Sequence, residues 1–180
     1  WLRDGLKILP DAKASEEIAK SVANNGGVII VPAFTGLGAP YWNERCKGAI
    51  FGLTRGVDTR HLIRASLESM AYQSKDLLEV MEEDINEKIT KLKVDGGASE
   101  NAFLLQFQSD ILEIPVMKSL MSETTALGAA RFAGLASGFW KMEDFDAEEN
   151  QLFMPKMNHE EVQACTSSWK KAVEACLEYE

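Results

Sequence analysis

The sequence predicts an α/β fold, because short apolar runs that suit buried strands alternate along the chain with longer helical patterns. One such run, Val28–Val31, consists entirely of β-branched residues, and this is typical of a strand that is buried on both faces. The longest helical pattern starts near Asp58 or Thr59, whose side chains both suit the cap of a helix. The 180 residues fit one domain that is large enough to bury a core.

We expect two short helices at the start of the chain, over residues 1–9 and 14–24. The strand at 28–31 follows, and a proline marks its end. An irregular loop rich in glycine, proline and aromatic residues then leads to a second short strand over residues 48–53. This part of the chain is therefore predicted to contribute two strands and two helices.

The long helix that begins at Asp58 or Thr59 is predicted to bury one apolar stripe. The stripe consists of Leu62, Ile63, Leu67, Met70, Leu77, Leu78 and Met81. Asp58 is interpreted as the helix cap, and Glu68 and Asp76 as exposed or packed helix residues. None of these carboxylates is assigned a catalytic role.

A strand over residues 91–95 and a helix over residues 99–112 are predicted next. Ser99 is expected to cap that helix, because its hydroxyl can accept a hydrogen bond from a free N–H group of the first turn. The buried face of the helix is formed by residues spaced by four, Phe103, Phe107 and Ile111. Residues 114–117 form a further strand, which Pro115 places near the edge of the sheet.

The last third of the chain is predicted to contain two helices separated by an acidic loop. The first helix starts near Ser122. Its small residues let it approach a sheet closely, and they are Ala126, Ala129, Ala130, Ala133 and Ala136. The loop covers residues 143–150, and the terminal helix covers residues 159–178 approximately.

Composition and charge argue against several classes of function. The net charge of −9 at pH 7 disfavours nucleic acid binding, which needs clustered Lys and Arg. No apolar run approaches the length of a membrane span. Cys46, Cys165 and Cys176 are scattered, and without a signal peptide at the start they indicate reduced thiols in a cytoplasmic protein. His61 and His159 have no partners at metal-ligand spacing, so no metal site is assigned.

The stretch VDGGASEN, residues 94–101, carries the strongest local sign of a ligand site. Gly96 and Gly97 follow a strand and precede a helix, which is where ligands bind in open α/β sheets. Glycine has no Cβ, so a phosphate or a nucleoside can lie directly on the backbone. The same pair also suits a plain tight turn, and the local residues leave both interpretations open.

Three stretches resemble the FGGY carbohydrate kinases, and among these the glycerol kinases. They are PAFTGLGAPYW…GAIFGLTRG from residue 32, DGGASENAFLLQFQSDIL from residue 95 and ETTALGAARFAGLASGFW from residue 123. A family signature also covers Gly48 to Glu68. The resemblance implies the C-terminal domain of an actin-like ATPase (ribonuclease H-like) fold, missing its first strands. Because the chain opens at Trp1 inside a helical pattern, we expect it to be part of a longer chain.

The resemblance also implies an adenine nucleotide site. In the family, the Asp-Gly-Gly turn and the Asn four residues after its second glycine hold the nucleotide. The corresponding residues here are Gly96, Gly97 and Asn101. The catalytic base and the glycerol-binding residues of the family would lie upstream of Trp1, so no catalytic residue is assigned in this chain.

The function that the resemblance implies is transfer of the γ-phosphoryl group of ATP to glycerol, with Mg²⁺ bridging the phosphates. The products would be sn-glycerol 3-phosphate and ADP. Residues 1–180 would form the nucleotide-binding C-terminal domain, with a core over residues 26–140, and would be inactive alone because glycerol binds through the missing N-terminal domain. Another FGGY kinase, such as a pentulose kinase, and a non-catalytic nucleotide-binding module are the alternatives. The sequence does not specify the oligomeric state, and a homo-oligomer is compatible with it.

Overall fold

The computed structural model describes residues 1–120, 124–145 and 150–179, and it confirms the α/β fold class. The helices of these residues are α1 (Ala14–Lys20), α2 (Thr59–Ile85), α3 (Ala102–Leu112), α4 (Thr124–Ser137) and α5 (His159–Glu178). The strands are β1 (Ile29–Val31), β2 (Ala49–Phe51), β3 (Leu92–Val94), β4 (Val116–Ser119) and β5 (Asn150–Phe153). Helix α2 starts after its predicted cap, Asp58, whose carboxylate accepts a hydrogen bond from the N–H group of Arg60.

The strands form two small sheets. Strands β1 and β2 pair antiparallel, with Ile30 opposite Ile50. Strand β4 lies between β3, to which it is parallel, and β5, to which it is antiparallel. The prediction that Pro115 marks an edge strand is therefore wrong. Pro115 precedes the first paired residue of β4, and its carbonyl accepts a hydrogen bond from the N–H group of Leu92 at 3.0 Å. Pro115 thus lies at the start of the strand, where a residue without an N–H group is tolerated.

The main core lies where α2, α3 and α5 meet the β1 strand and the loop after it. Tyr72 of α2 stacks on Trp169 of α5 with ring centroids 5.3 Å apart, and Phe107 of α3 meets the Tyr72 ring edge-on. Asp76 is buried beneath them, and its Oδ2 atom accepts hydrogen bonds from Trp169 Nε1 at 2.6 Å and Tyr41 Oη at 2.8 Å. This carboxylate therefore joins the long helix, the terminal helix and the loop before β2.

The predicted apolar stripe of α2 is wrong in part. Met70, Leu77 and Met81 are exposed. The buried residues of the helix are Ile63, Ala65, Glu68, Ser69, Ala71, Tyr72 and Asp76. Two of these are carboxylates whose hydrogen-bond partners lie elsewhere in the chain, and such partners do not show in a hydropathy pattern. The buried face of the helix is therefore rotated away from the predicted one.

The first predicted helix, over residues 1–9, is absent from the structure. The N–H groups of Gly5 and Leu6 both bond to the carbonyl of Trp1, which makes a single turn. Lys7 then has a φ angle of +57°, and a non-glycine residue in this conformation ends a right-handed helix. Helix α1 is also shorter than predicted, because it ends at Lys20 rather than near residue 24.

The C-terminal third differs from the prediction in three ways. The predicted start of the alanine-rich helix at Ser122 lies outside the described residues, and α4 is described from Thr124. Strand β5 was not predicted, and it begins at Asn150, the last residue assigned to the acidic loop; residues 146–149 of that loop lie outside the described residues. The alanines expected against a sheet are exposed, namely Ala126, Ala129, Ala130, Ala133 and Ala136. Within the described residues, the face of α4 that is covered is the one at Gly134, against which the Trp140 ring packs. The terminal helix is confirmed over 159–178.

Candidate functional site

The predicted ligand-binding turn lies at the carboxyl end of β3. Gly96 has φ +82° and ψ −179°, a conformation that is essentially restricted to glycine. Gly97 opens a 3₁₀ turn that runs to Glu100. A Cβ atom added at Gly96 or at Gly97 would meet no protein atom within 4 Å. The backbone of both glycines is therefore open to a ligand.

Asn101, and not Ser99, caps the helix that follows the turn. The Oδ1 atom of Asn101 accepts a hydrogen bond from the N–H group of Leu104 at 2.9 Å, and α3 begins at the next residue, Ala102. Ser99 is buried in the 3₁₀ turn, where its hydroxyl donates to the carbonyl of Gly96 at 2.7 Å. The predicted cap was wrong because the 3₁₀ turn delays the start of the helix by three residues relative to residue 99.

A cavity of about 380 Å³ lies beside the turn. It is bounded on one side by Gly97, Glu100 and Asn101, and on the other by Ala12, Lys13 and Glu16. The structure thus brings two of the predicted nucleotide-binding residues to one cavity. It also places α1, and the residues just before it, opposite them.

Two residues of α1 that the sequence did not indicate hold the start of α3 in place. Ser15 Oγ accepts a hydrogen bond from Asn101 Nδ2 at 3.1 Å. Glu16 Oε2 accepts one from the N–H group of Ala102 at 3.0 Å. The partners are 86 residues apart in the sequence, so no local pattern could have identified the contact.

The charge of Glu16 is stabilised by its surroundings. Burial on its own would raise the pKa of Glu16, but the hydrogen bonds from Lys20 and from the Ala102 N–H group lower it, and the charge of Lys118 acts in the same direction. The net result is a pKa below the ordinary value. Lys118 also forms an ion pair with Glu100 across the turn at 2.8 Å. Both acidic residues that line the cavity are therefore paired with lysines.

Helix α1 is itself fixed to the long helix by a buried polar network. Arg64 Nη1 donates to the carbonyl of Val22 at 2.7 Å, and Arg64 Nε donates to Glu68 Oε1 at 2.8 Å. Asn25 Nδ2 donates to the other oxygen of Glu68 at 2.7 Å. Burial raises the pKa of Glu68, and these two donors partly offset the shift. Glu68 of α2 thus has a structural role, because it holds the residues that follow α1. Asp58 and Asp76 have structural roles as well, as the cap of α2 and as the link between α2 and α5.

The described residues contain no group of three or more His, Cys, Asp or Glu side chains that could hold a metal ion. Both histidines have carboxylate neighbours that the sequence spacing did not indicate. His61 Nδ1 lies 2.9 Å from Asp58 Oδ1 in the cap of α2, and His159 Nδ1 lies 2.7 Å from Glu113 Oε1. Among the described helices, none is long and apolar enough to cross a membrane.

Comparison with known proteins decides the family. The sequence profile of the FGGY family of carbohydrate kinases, C-terminal domain, matches residues 1–137. The chain belongs to the FGGY family. It is 54% identical over 176 residues to the glycerol kinase of Clostridium beijerinckii, and this match covers 96% of the chain but 35% of that relative. The chain therefore spans about a third of the length of the curated FGGY relatives that it matches.

Solved structures of FGGY kinases have the same fold as the chain. The crystal structure of Plasmodium falciparum glycerol kinase with ADP matches with a TM-score of 0.87 and 34% identity, over 98% of the chain and 36% of that protein. The ligand-bound xylulose kinase of Lactobacillus acidophilus matches with a TM-score of 0.76 and 20% identity, over 97% of the chain and 36% of that protein. These matches confirm the actin-like kinase fold. The resemblance to glycerol kinases is confirmed by the higher identities.

Proposed function

We propose that the chain is the nucleotide-binding C-terminal part of an enzyme that phosphorylates glycerol with ATP. The products are sn-glycerol 3-phosphate and ADP. The observation that carries this proposal is the 54% identity to the Clostridium beijerinckii glycerol kinase over 96% of the chain. The 20% identity to a xylulose kinase supports only a shared fold, so glycerol is favoured over a pentulose as the substrate.

The turn at the end of β3 suits the nucleotide in this function. The N–H groups of Gly97 and Ala98 open the 3₁₀ turn, and the first N–H groups of a helical turn have no carbonyl of that turn to pair with. Such groups on an open glycine backbone can donate to phosphate oxygens. Asn101 borders the same cavity and has two amide hydrogens, of which one bonds to Ser15. We assign the second to an acceptor atom of the nucleotide.

The chemistry of phosphoryl transfer fits a domain that carries no base of its own. Such catalysis consists mostly of positioning and of electrostatic stabilisation of the phosphates. The catalytic base and the glycerol-binding residues are assigned to the remaining two thirds of an FGGY kinase. Mg²⁺ is expected with the nucleotide from the resemblance alone, and the described residues contain no group of three or more His, Cys, Asp or Glu side chains that could hold it. A cytoplasmic location and a homo-oligomer stay predictions.

Two measurements test the proposal. Titration of the ¹⁵N-labelled chain with ADP, followed by amide shifts, should move the signals of Gly96, Gly97 and Ala98 and the side-chain amide of Asn101. Saturable shifts confined to another surface would reject this turn as the site. In a coupled assay of ADP release, the complete gene product should use glycerol in preference to D-xylulose. A preference for D-xylulose would identify a pentulose kinase, and release with neither would favour a non-catalytic module.

A further inference from the structure

We infer that Ser15 and Glu16 of α1 are positioning residues for the nucleotide. They hold the amide of Asn101 and the first N–H group of α3 in the orientation that the nucleotide site requires. This inference rests on the proposed function and extends it to a helix that the sequence did not connect with the site. Its basis is the pattern of donors and acceptors around two residues, Asn101 and Ala102.

The orientation of the Asn101 amide is determined at both ends. The N–H group of Leu104 can only donate, so the atom 2.9 Å from it must be the carbonyl oxygen of Asn101. Ser15 Oγ donates its one hydrogen to the carbonyl of Ala12 at 2.6 Å, so towards Asn101 it can only accept. The atom 3.1 Å from Ser15 Oγ must therefore be the amide nitrogen.

This arrangement decides what Asn101 can offer a ligand. The carbonyl oxygen accepts the capping bond and keeps one further lone pair, and the bond to Ser15 uses one of the two amide hydrogens. The second hydrogen is the donor that remains on Asn101, and we assign it to an acceptor such as a ring nitrogen of a purine base. Without Ser15 the amide would lose one of its two restraints, and the donor would lose its fixed direction. Ser15 is 6% exposed, so water does not readily replace it.

Glu16 acts on the other end of the same peptide segment. Its carboxylate accepts a hydrogen bond from the N–H group of Ala102, the first residue of α3. Anions are favoured at the N-terminus of a helix, and here the protein supplies its own. A nucleotide phosphate is therefore directed away from the start of α3 and towards the open backbone of Gly96 and Gly97.

Helix α1 is firmly held, as a positioning element must be. The bond from Arg64 to the carbonyl of Val22 and the bond from Asn25 to the buried carboxylate of Glu68 fix the residues just after α1 to α2. The guanidinium of Arg64 also lies over the ring of Phe103 in α3, 4.9 Å from its centroid. The two helices that border the cavity are thus joined to the long helix through one side chain.

The test is ADP titration of the ¹⁵N-labelled complete gene product carrying Ser15→Ala. The dissociation constant should rise roughly threefold to tenfold, which is the usual effect of removing one hydrogen bond. Ser21→Ala is the matched control, because Ser21 Oγ donates to a backbone carbonyl at 2.6 Å at the other end of the same helix and does not contact the site. In a chain that already carries Asn101→Ala, the Ser15→Ala change should have no further effect on the dissociation constant.

A second set of variants covers the case in which Ser15→Ala does not fold. Glu16→Ala should weaken ADP binding several-fold, whereas Glu16→Gln, which keeps an acceptor for the Ala102 N–H group, should restore much of the affinity. Glu17→Ala is the control, since Glu17 is the exposed neighbour that also approaches Lys20. The inference would be overturned if Ser15→Ala or Glu16→Ala bound ADP with wild-type affinity. It would also be overturned if Ser15→Ala weakened binding equally in the Asn101→Ala background. Neither result would contradict the nucleotide site itself. If the complete wild-type protein binds ADP without a shift at Gly97, the assignment of the turn to the nucleotide fails and the inference fails with it.

Discussion

Replacing Gly97 by alanine should weaken ADP binding and raise the stability of the fold at the same time. Gly97 is exposed, its φ angle lies outside the left-handed region, and a Cβ atom would meet no protein atom within 4 Å. Nothing in the folded chain therefore opposes the extra methyl group. The space that the methyl group takes is the space from which a ligand would approach the backbone.

The two effects can be estimated separately. A glycine to alanine change at a compatible position stabilises a protein by about 0.4–1 kcal/mol, because it reduces the freedom of the unfolded chain. For a domain of this size, that corresponds to a rise in Tm of about 1–4 °C. A hydrogen bond from the Gly97 N–H group to a charged phosphate is worth about 1.5–3 kcal/mol. If the methyl group displaces the phosphate, the dissociation constant for ADP should rise by roughly tenfold to 150-fold.

The assay combines melting curves with ADP titrations of the same purified variants. Gly56→Ala is the matched control, because Gly56 is also exposed, lacks a positive φ angle and lies away from the site. It should raise Tm and leave ADP binding unchanged. Gly96→Ala forces alanine into a φ of +82° and should destabilise the fold by about 1–3 kcal/mol. Wild-type ADP affinity in folded Gly97→Ala would refute the assignment of the turn, and a lowered Tm would show that the glycine is needed for the fold.

Four further outcomes are expected. The isolated 180-residue chain should release no ADP from ATP in the presence of glycerol, and measurable release would contradict the division of function between domains. Asn101→Ala should lower the stability by about 0.5–2 kcal/mol through loss of the helix cap. Asn101→Asp should keep the cap and still bind ADP less tightly. Denaturant unfolding measures the effect on stability, and ADP titration measures the effect on binding. Folding lowers the pKa of Glu16, so the stabilisation by the Glu16 carboxylate is present above its ordinary pKa of about 4.5 and is lost as the pH falls through the lower pKa of the folded state. The amide shift of Ala102 should follow this protonation. An Ala102 shift that stays constant down to pH 2 would be inconsistent with it. Glu68→Ala should destabilise the chain by about 3–5 kcal/mol, since it removes the buried carboxylate that pairs with Arg64 and Asn25. A loss below 1 kcal/mol in urea unfolding would argue against that network.

Elements with strong local signals were predictable from the sequence. The start of α2 follows from Asp58, because a side-chain cap acts within three residues of its own position. The terminal helix follows from an uninterrupted periodic pattern over 159–178. Strand β1 follows from its β-branched run. In each case the residues that specify the element lie inside it or next to it.

Elements that depend on distant partners were not predictable. Strand β5, with the sequence Asn-Gln-Leu-Phe, carries no clear alternation, and it is a strand because β4 offers a free edge. The buried face of α2 is set by Glu68 and Asp76, whose partners are Asn25, Tyr41 and Trp169. A prediction from hydropathy assigns a carboxylate to the exposed side of a helix. The predicted buried face of α2 therefore differs from the observed one.

The candidate site shows the same division within a few residues. Gly97 and Asn101 could be proposed from the sequence, because a glycine turn between a strand and a helix is a local pattern and the family resemblance implied its role. What the sequence could not show is that Asn101 is also the cap of α3 and that Ser15 fixes its amide. The observed cap uses the oxygen of Asn101, whereas the bond to Ser15 and the proposed bond to a nucleotide use the nitrogen. Serine or threonine would suit the cap, but a hydroxyl has one hydrogen and could not serve Ser15 and a ligand together. An asparagine can therefore serve both the start of the helix and the proposed nucleotide contact at one position.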